Sequence, residues 1–169
     1  FLMLHARNLL AALVAAMLLG GCAGNHMVNS PPGMTTTLIL LRHAERPVLG
    51  KELNAEGRAR AAALPAALAG MEIDAIYSPN LSRNLDTVAP LAKQRGLTVK
   101  VIETSRVAAR MIGENPGKTV LWVGNSSNLE TIYEDIGGQG RAPILYGELF
   151  IARVPEKGPA QVTESRYGR

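Results

Sequence analysis

The sequence predicts an α/β fold, a single domain built as a three-layer α/β/α sandwich around a mostly parallel central sheet. Short apolar, β-branched runs alternate with longer helix-forming segments, which is typical of a parallel sheet covered by helices on both faces. Of the 169 residues, 47% are hydrophobic and 19% are charged, a balance typical of globular domains. The net charge of +4 is scattered along the chain, so we expect no nucleic-acid partner.

The predicted elements alternate regularly along the chain. Strands are expected at 36–41, 73–77, 97–102, 118–123 and 148–154, where short apolar runs lie between turn signals. Helices are expected at 54–69, 81–95, 104–113 and from 126 to the glycine pair at 137–138. The side chain of Asn54 is predicted to cap the first helix, and Gly96 is predicted to end the second.

The N-terminal residues have the features of a secretory leader. Arg7 precedes the apolar run Leu9–Leu19, which is shorter than the roughly 20 residues that a membrane-spanning helix needs. The residues Leu19-Gly20-Gly21-Cys22 resemble the lipobox of bacterial lipoproteins, and Cys22 is the only cysteine. This resemblance implies a signal peptide at 1–21 and a lipid on Cys22. The alternative is an ordinary core helix with a buried thiol.

The lipobox resemblance also implies a location in the bacterial cell envelope. Ala23 follows the cysteine, and in enteric bacteria an aspartate there favours inner-membrane retention, so we expect an outer-membrane anchor facing the periplasm. Residues 22–35 are small, polar and rich in proline and glycine, which predicts a flexible tether. The domain is then expected at 36–155, and 156–169 is expected to be a C-terminal tail.

Arg42 and His43 end the first predicted strand, at the sheet edge where α/β proteins bind their ligands. A histidine with an ordinary pKa near 6.5 is largely neutral at pH 7 and can act as a nucleophile. The neighbouring guanidinium offers paired donors for phosphate oxygens. Such a pair is also common on protein surfaces, so these two residues alone do not decide the function.

The segments around this pair make the chain resemble a known family. LILLRHAER, LNAEGRARAAAL, IDAIYSPNLSRNLDTVAPLA and TVLWVGNSSNLETIYEDIGG resemble the histidine phosphatase superfamily in order and spacing. That group contains phosphoglycerate mutases and phosphohistidine phosphatases. The resemblance implies that His43 attacks phosphorus and holds a phosphohistidine, and that Arg42 and Arg83 bind the phosphate. It implies a packing role for Asp86-Thr87 and gives no reason to expect a metal or another cofactor.

Asn125 is the main departure from the family pattern. The family's second histidine stands in a Gly-His-Ser sequence, whereas this chain has Gly124-Asn125-Ser126. An asparagine can donate a neutral hydrogen bond to phosphate, but it has no titratable proton. Loss of a preorganised donor typically lowers the rate by about 10²–10³.

The sequence does not identify the acid that would protonate the leaving group. In much of the family a carboxylate follows the second arginine, and Glu103 is the nearest candidate here. Glu45 and Glu114 are alternatives, and for each of the three a solvated surface carboxylate is favoured over a catalytic role.

Two functions therefore follow from the sequence. The first is a cell-envelope phosphatase that hydrolyses phosphate monoesters or phosphohistidine through phospho-His43. The alternative is a degenerate phosphatase that binds phosphate or a phosphorylated ligand without efficient turnover, so Asn125 leaves enzymatic activity open. The expected partners are a phosphorylated small molecule or a phosphoprotein, with the membrane contacted through Cys22. Hydrolysis is favoured over mutase activity because no insertion large enough to enclose the site is visible.

Overall fold

The computed structural model describes residues 26–168, so the predicted signal peptide and Cys22 lie outside the described residues. In this part of the chain the strands are β1 Thr36–Arg42, β2 Ala75–Ser78, β3 Val99–Val101, β4 Thr119–Gly124, β5 Glu148–Val154 and β6 Gln161–Arg166. The helices are α1 Ala55–Ala67, α2 Ser82–Arg95, α3 Val107–Glu114 and α4 Ser126–Asp135. Within residues 26–168, no helix is long and apolar enough to cross a membrane.

The strands form one sheet in the order β3-β2-β4-β1-β5-β6. The pairings β2–β3, β2–β4 and β1–β4 are parallel, whereas β1–β5 and β5–β6 are antiparallel. The predicted mostly parallel sheet is therefore confirmed, with two antiparallel pairings at one end. The register of β1 with β4 places Arg42 opposite Gly124 at the carboxyl ends of both strands.

Helices cover both faces of the sheet, as predicted. Ile39 and Leu41 point to the face packed by α1 and α2, whereas Leu38 and Leu40 point to the face packed by α3 and α4. All four side chains are fully buried. A strand that is covered on both faces has no polar side, which explains why β1 is a continuous apolar run.

The two predicted helix boundaries are confirmed. The Asn54 side chain accepts a hydrogen bond from the Gly57 N–H at 2.8 Å, which satisfies a free donor in the first turn of α1. Gly96 ends α2 in the left-handed region, with φ of 64°, where a residue without a Cβ is favoured.

The packed domain extends beyond 36–155 on both sides. The predicted tail at 156–169 contains β6, which was missed because its residues are polar and mostly exposed and lack the apolar pattern of a buried strand. The predicted tether is packed from Val28 onward. The Val28 N–H donates to the Asp135 carbonyl at 2.7 Å, and the Ser30 N–H donates to the Pro155 carbonyl at 3.0 Å.

We expect Gly57→Ala to destabilise the domain, because α1 begins directly against the segment that follows β1. A Cβ on Gly57 would overlap the carbonyl oxygen of Glu45, which already accepts the Asn54 N–H at 3.0 Å. Overpacking of this kind lowers the free energy of unfolding by about 1–3 kcal/mol. Gly113→Ala is the matched control, since the space around that helical glycine is open. Urea denaturation should separate the two variants, and equal stabilities would contradict the proposed close contact.

Candidate active site

The site begins where β1 and β4 end side by side. The His43 N–H donates to the Gly124 carbonyl at 3.0 Å, so the chain after β1 stays paired with the chain after β4. Gly124 also lets α4 begin close against the end of β4, because a Cβ there would overlap Asn128 Oδ1 and Trp122 Nε1. His43 and Asn125 are thus placed at neighbouring strand ends, as the sequence predicted.

The imidazole of His43 is held in one tautomer. His43 is only 2% exposed, and its Nδ1 lies 2.8 Å from the Ala44 carbonyl oxygen. A carbonyl can only accept, so in the neutral ring Nδ1 carries the proton and Nε2 has the free lone pair. The pKa of His43 is lowered to about 4, mainly by burial. The hydrogen bond to Ala44 raises the pKa, whereas the charges of Arg83, Arg42 and Arg46 lower it. The ring is therefore a neutral nucleophile at physiological pH.

A buried hydroxyl connects the nucleophile to the helix that carries Arg83. Thr87 Oγ1 accepts the Ala44 N–H at 2.8 Å and donates to the Arg83 carbonyl at 2.7 Å. Arg83 lies in the first turn of α2, as expected, and Thr87 has the packing role predicted for the pair Asp86-Thr87. Asp86 itself is exposed.

Asn125 faces this group from the start of α4. Arg83 Nη2 lies 3.4 Å from Asn125 Oδ1, a long contact that directs the amide oxygen toward the guanidinium. The Asn125 N–H donates to Asn128 Oδ1 at 3.0 Å, which fixes the turn. The Nδ2 hydrogens of Asn125 are left as donors beside the positive end of the α4 dipole, an environment that favours anions.

Arg42 is fixed by a segment that sequence analysis did not connect to the site. Its Nη1 donates to the Ile144 carbonyl at 2.9 Å, and its Cζ lies 4.2 Å from the centre of the Tyr146 ring. The same ring lies 5.7 Å from the ring of His43. Tyr146 lies two residues before β5, and because β5 is antiparallel to β1, it begins at the edge where β1 ends.

Three arginines at the site have unsatisfied donors. The Nε atoms of Arg42, Arg46 and Arg83 are buried, and none has a hydrogen-bond partner among the described residues. Burial lowers the pKa of Arg83, and the charges of Arg46 and Arg42 lower it further while Tyr146 opposes them. Buried unpaired donors are unfavourable, and phosphate oxygens are good acceptors for them. Arg46 is therefore a member of this cluster that sequence analysis missed.

Glu103, the candidate acid, is not brought into the cluster. It follows β3, at the edge of the sheet, and is exposed. Strands β2 and β4 lie between β3 and β1, a separation of roughly 14 Å at the usual strand spacing. None of the hydrogen bonds or ion pairs of the described residues joins Glu103 to His43, Arg42 or Arg83.

The two alternative acids have other partners. Both oxygens of Glu45 accept hydrogen bonds from Arg60. Burial raises the pKa of the Glu45 carboxyl, but the bonds and charge of Arg60 outweigh it, so the pKa lies below its usual value. Glu114 ends α3 on the way to the amino end of β4, and hydrogen bonds from Tyr77 and Arg110 lower its pKa. Because its pKa is lowered, each carboxyl is held in the ionised form, which has no proton to give to a leaving group.

The matches to known proteins agree with this geometry. Residues 38–120 match the family model of the histidine phosphatase superfamily, branch 1, and this range includes Arg42, His43 and Arg83. This part of the chain, just under half of its length, is similar to the histidine phosphatase superfamily. The matched range ends before Asn125, so it does not bear on that substitution. No curated protein matches the chain in sequence.

Several solved structures share the fold at low sequence identity. The protein histidine phosphatase SixA, complexed with tungstate, is 14% identical with a TM-score of 0.65, over 77% of this chain and 96% of that chain. Bacillus stearothermophilus YhfR is 19% identical with a TM-score of 0.61, over 76% and 95%. A mycobacterial glucosyl-3-phosphoglycerate phosphatase with inorganic phosphate is 16% identical with a TM-score of 0.55, over 79% and 97%.

The lowered pKa of His43 predicts an acid-sensitive contribution to stability. The unfolded chain, with a histidine pKa near 6.5, binds more protons than the folded domain between pH 6.5 and about 4. Stability is therefore lost as the pH falls through that window, by on the order of 3 kcal/mol from this group. His43→Gln should lack this loss. Urea denaturation of both proteins at pH 7.5 and pH 4 isolates the difference, and parallel losses would show that the pKa is not lowered.

Proposed function

We propose that this domain is a phosphatase that passes a phosphoryl group from a phosphate monoester, or from phosphohistidine, through His43 to water. The observation that carries the proposal is the buried neutral His43, whose Nδ1 is fixed by Ala44 and whose Nε2 has no hydrogen-bond partner among residues 26–168. Arg42 and Arg83 present buried donors beside it. A neutral nucleophile among fixed cations suits a substrate that brings negative charge.

The proposed reaction has two balanced steps. The lone pair of His43 Nε2 attacks phosphorus as the bond to the leaving atom breaks, and the leaving group takes a proton from solvent. The leaving atom is the ester oxygen of a phosphate monoester or the imidazole nitrogen of phosphohistidine. A water molecule then attacks the same phosphorus and gives a proton to solvent, the P–N bond to His43 breaks, and inorganic phosphate leaves with the lone pair returned to Nε2. Negative charge on the equatorial oxygens is stabilised throughout by Arg42, Arg83 and the Asn125 amide.

A phosphate-binding module with little turnover is the second candidate, and Asn125 is the observation that favours it. The amide can donate to phosphate, but unlike an imidazole it can neither become charged nor transfer a proton. Binding then survives through the arginines while the transition state loses one donor.

The envelope location is part of the same proposal, and the lipobox-like residues before Cys22 support it. Val28 is bonded to the end of α4 and Ser30 to the residue after β5, at the amino edge of β1. The site lies at the carboxyl edge, about 23 Å away along β1. Five residues separate Cys22 from Val28 and span at most about 20 Å. A lipid on Cys22 would therefore hold the amino edge toward the membrane and leave the site facing away from it.

Restoring a histidine at the second position is the sharpest test of the catalytic proposal. We expect Asn125→His to raise the rate of aryl phosphate hydrolysis by about 10²–10³, because it restores a donor to the transferring group. His43→Ala should abolish hydrolysis in both backgrounds. The measurement is kcat/KM for the four proteins, with circular dichroism as the control for folding.

Two results would change the conclusion. A folded Asn125→His protein with no gain in rate would favour the binding module, provided that the wild type binds vanadate. Equal hydrolysis with and without His43 would exclude the phosphohistidine route.

The lipid anchor has its own test. Cys22→Ser should abolish incorporation of labelled palmitate and release the protein from the outer-membrane fraction, because the thiol is the point of attachment. Ala23→Ser is the matched control and should retain the label. If Cys22→Ser still takes up fatty acid and fractionates like the wild type, the lipoprotein proposal is wrong.

A further inference from the structure

The loop that follows the nucleophile displays two apolar side chains to solvent. Val48 is 90% exposed and Leu49 is 98% exposed, whereas the other exposed large hydrophobic residues of the described part of the chain are at most 49% exposed. Single exposed apolar residues are ordinary, but these two are adjacent and lie five and six residues after His43. We refer to Val48 and Leu49 as the tip.

The tip belongs to an ordered turn. The Gly50 N–H donates to the Pro47 carbonyl at 3.0 Å, which closes the turn around Val48 and Leu49. Arg46 Nη1 donates to the carbonyls of Pro47, Val48 and Gly50 at 3.0, 2.9 and 2.9 Å. Glycine, asparagine, aspartate and proline favour such corners, so turn geometry does not explain a valine and a leucine there. The turn holds both side chains out before any partner binds, which reduces the entropy lost on binding.

The same arginine links the tip to the site. Burial is the main cause of the lowered pKa values of His43 and Arg83, and the charge of Arg46 contributes to both. Its Nε is one of the buried donors without a partner among the described residues. A ligand that reaches the arginine cluster therefore lies beside the base of the tip.

A groove continues from the other end of this loop. It has a volume of about 620 Å³ and lies between α1 and α2, where the loop residues Glu52 and Leu53 form one wall. Its remaining lining combines small apolar residues with charges of both signs, among them Ala89, Pro90, Arg58 and Lys93. The loop thus separates a cationic phosphate site from a groove of mixed character.

We propose that the tip is a docking surface for the polypeptide of a phosphorylated protein, where it contacts an apolar residue that neighbours the phosphorylated one. The inference rests on the proposed function in that the phosphate occupies the arginine cluster. Charge complementarity places the phosphate of the bound segment in the arginine cluster. An apolar side chain next to the phosphorylated residue then contacts the tip.

A lipid surface fits the tip less well than a polypeptide does. The first described residues leave the domain at the amino edge of β1, opposite the edge that carries the tip. With the short connection to Cys22, the proposed anchor turns the tip away from the bilayer.

Binding of two matched peptides to the full chain in detergent tests the proposal. Both are phosphotyrosine peptides, one flanked by leucines and the other by serines. Wild type should bind the leucine-flanked peptide roughly 10- to 100-fold more tightly, a difference expected for burial of the tip side chains. Val48→Ser/Leu49→Ser should remove this preference, while Val101→Ser, which alters an exposed valine on β3, should keep it. No preference in the wild type would overturn the proposal.

This readout separates the docking surface from the catalytic proposal. Aryl phosphate hydrolysis should have the same kcat and KM in the wild type and in Val48→Ser/Leu49→Ser. Retained hydrolysis without a peptide preference would overturn the docking surface alone. A peptide preference without hydrolysis would overturn the phosphatase proposal alone.

A labelled tip distinguishes the remaining occupants. Leu49→Cys carrying a polarity-sensitive dye should shift its emission to shorter wavelength when the leucine-flanked peptide binds, in detergent or in vesicles. A shift on reconstitution into phosphatidylglycerol vesicles without peptide would show membrane contact, and a shift that depends on protein concentration would show a second copy. Either result would overturn the proposal.

Discussion

The site depends on one hydrogen bond that extends the pairing of β1 and β4 beyond the strands. The His43 N–H donates to the Gly124 carbonyl, and this bond fixes the distance between the two chain segments that carry the chemistry. The turn from β4 into α4 requires a glycine at 124, since a Cβ there would overlap Asn128 and Trp122. Backbone pairing alone therefore places His43 and Asn125 next to each other at the carboxyl ends of β1 and β4.

The helices on one face then convert this backbone arrangement into a phosphate site. Thr87 connects the segment after β1 to the carbonyl of Arg83, so the second arginine is held relative to the nucleophile by a buried hydroxyl. The Glu45 carboxylate is bonded to Arg60, and none of the hydrogen bonds or ion pairs of the described residues joins it to Arg42, Arg46 or Arg83. The positive charge of the site is a result of this pairing as much as of the number of arginines.

The sequence was sufficient for the parts of the molecule that depend on local patterns. The apolar run of β1, the cap at Asn54 and the stop at Gly96 predicted the alternating fold, and the order of motifs predicted that Arg42, His43, Arg83 and Asn125 would meet. It was insufficient where the arrangement depends on tertiary contacts. The strand β6 is exposed and polar, so its only signal is its pairing with β5. Tyr146 belongs to the site because β5 returns antiparallel to β1, which the spacing of residues does not reveal.

The candidate acids show that residues close to the motifs in sequence can lie outside the site. Glu103 and Glu45 are close to the motifs in sequence, yet one follows the edge strand β3 and the other is paired with Arg60. Nearness along the chain is a weak guide to nearness in an α/β sheet, because consecutive strands are often separated by others. The order β3-β2-β4-β1 separates Glu103 from His43 by two strands.

The crowding of Arg42, Arg46 and Arg83 also has a thermodynamic consequence. Like charges held close together oppose folding, and an anion that binds to the folded cluster relieves this repulsion. The unfolded chain has no equivalent binding site for the anion. By mass action, the folded population then rises with the concentration of that anion. The same residues that would bind a phosphoryl group thus link the folding equilibrium of the domain to the ionic composition of its compartment.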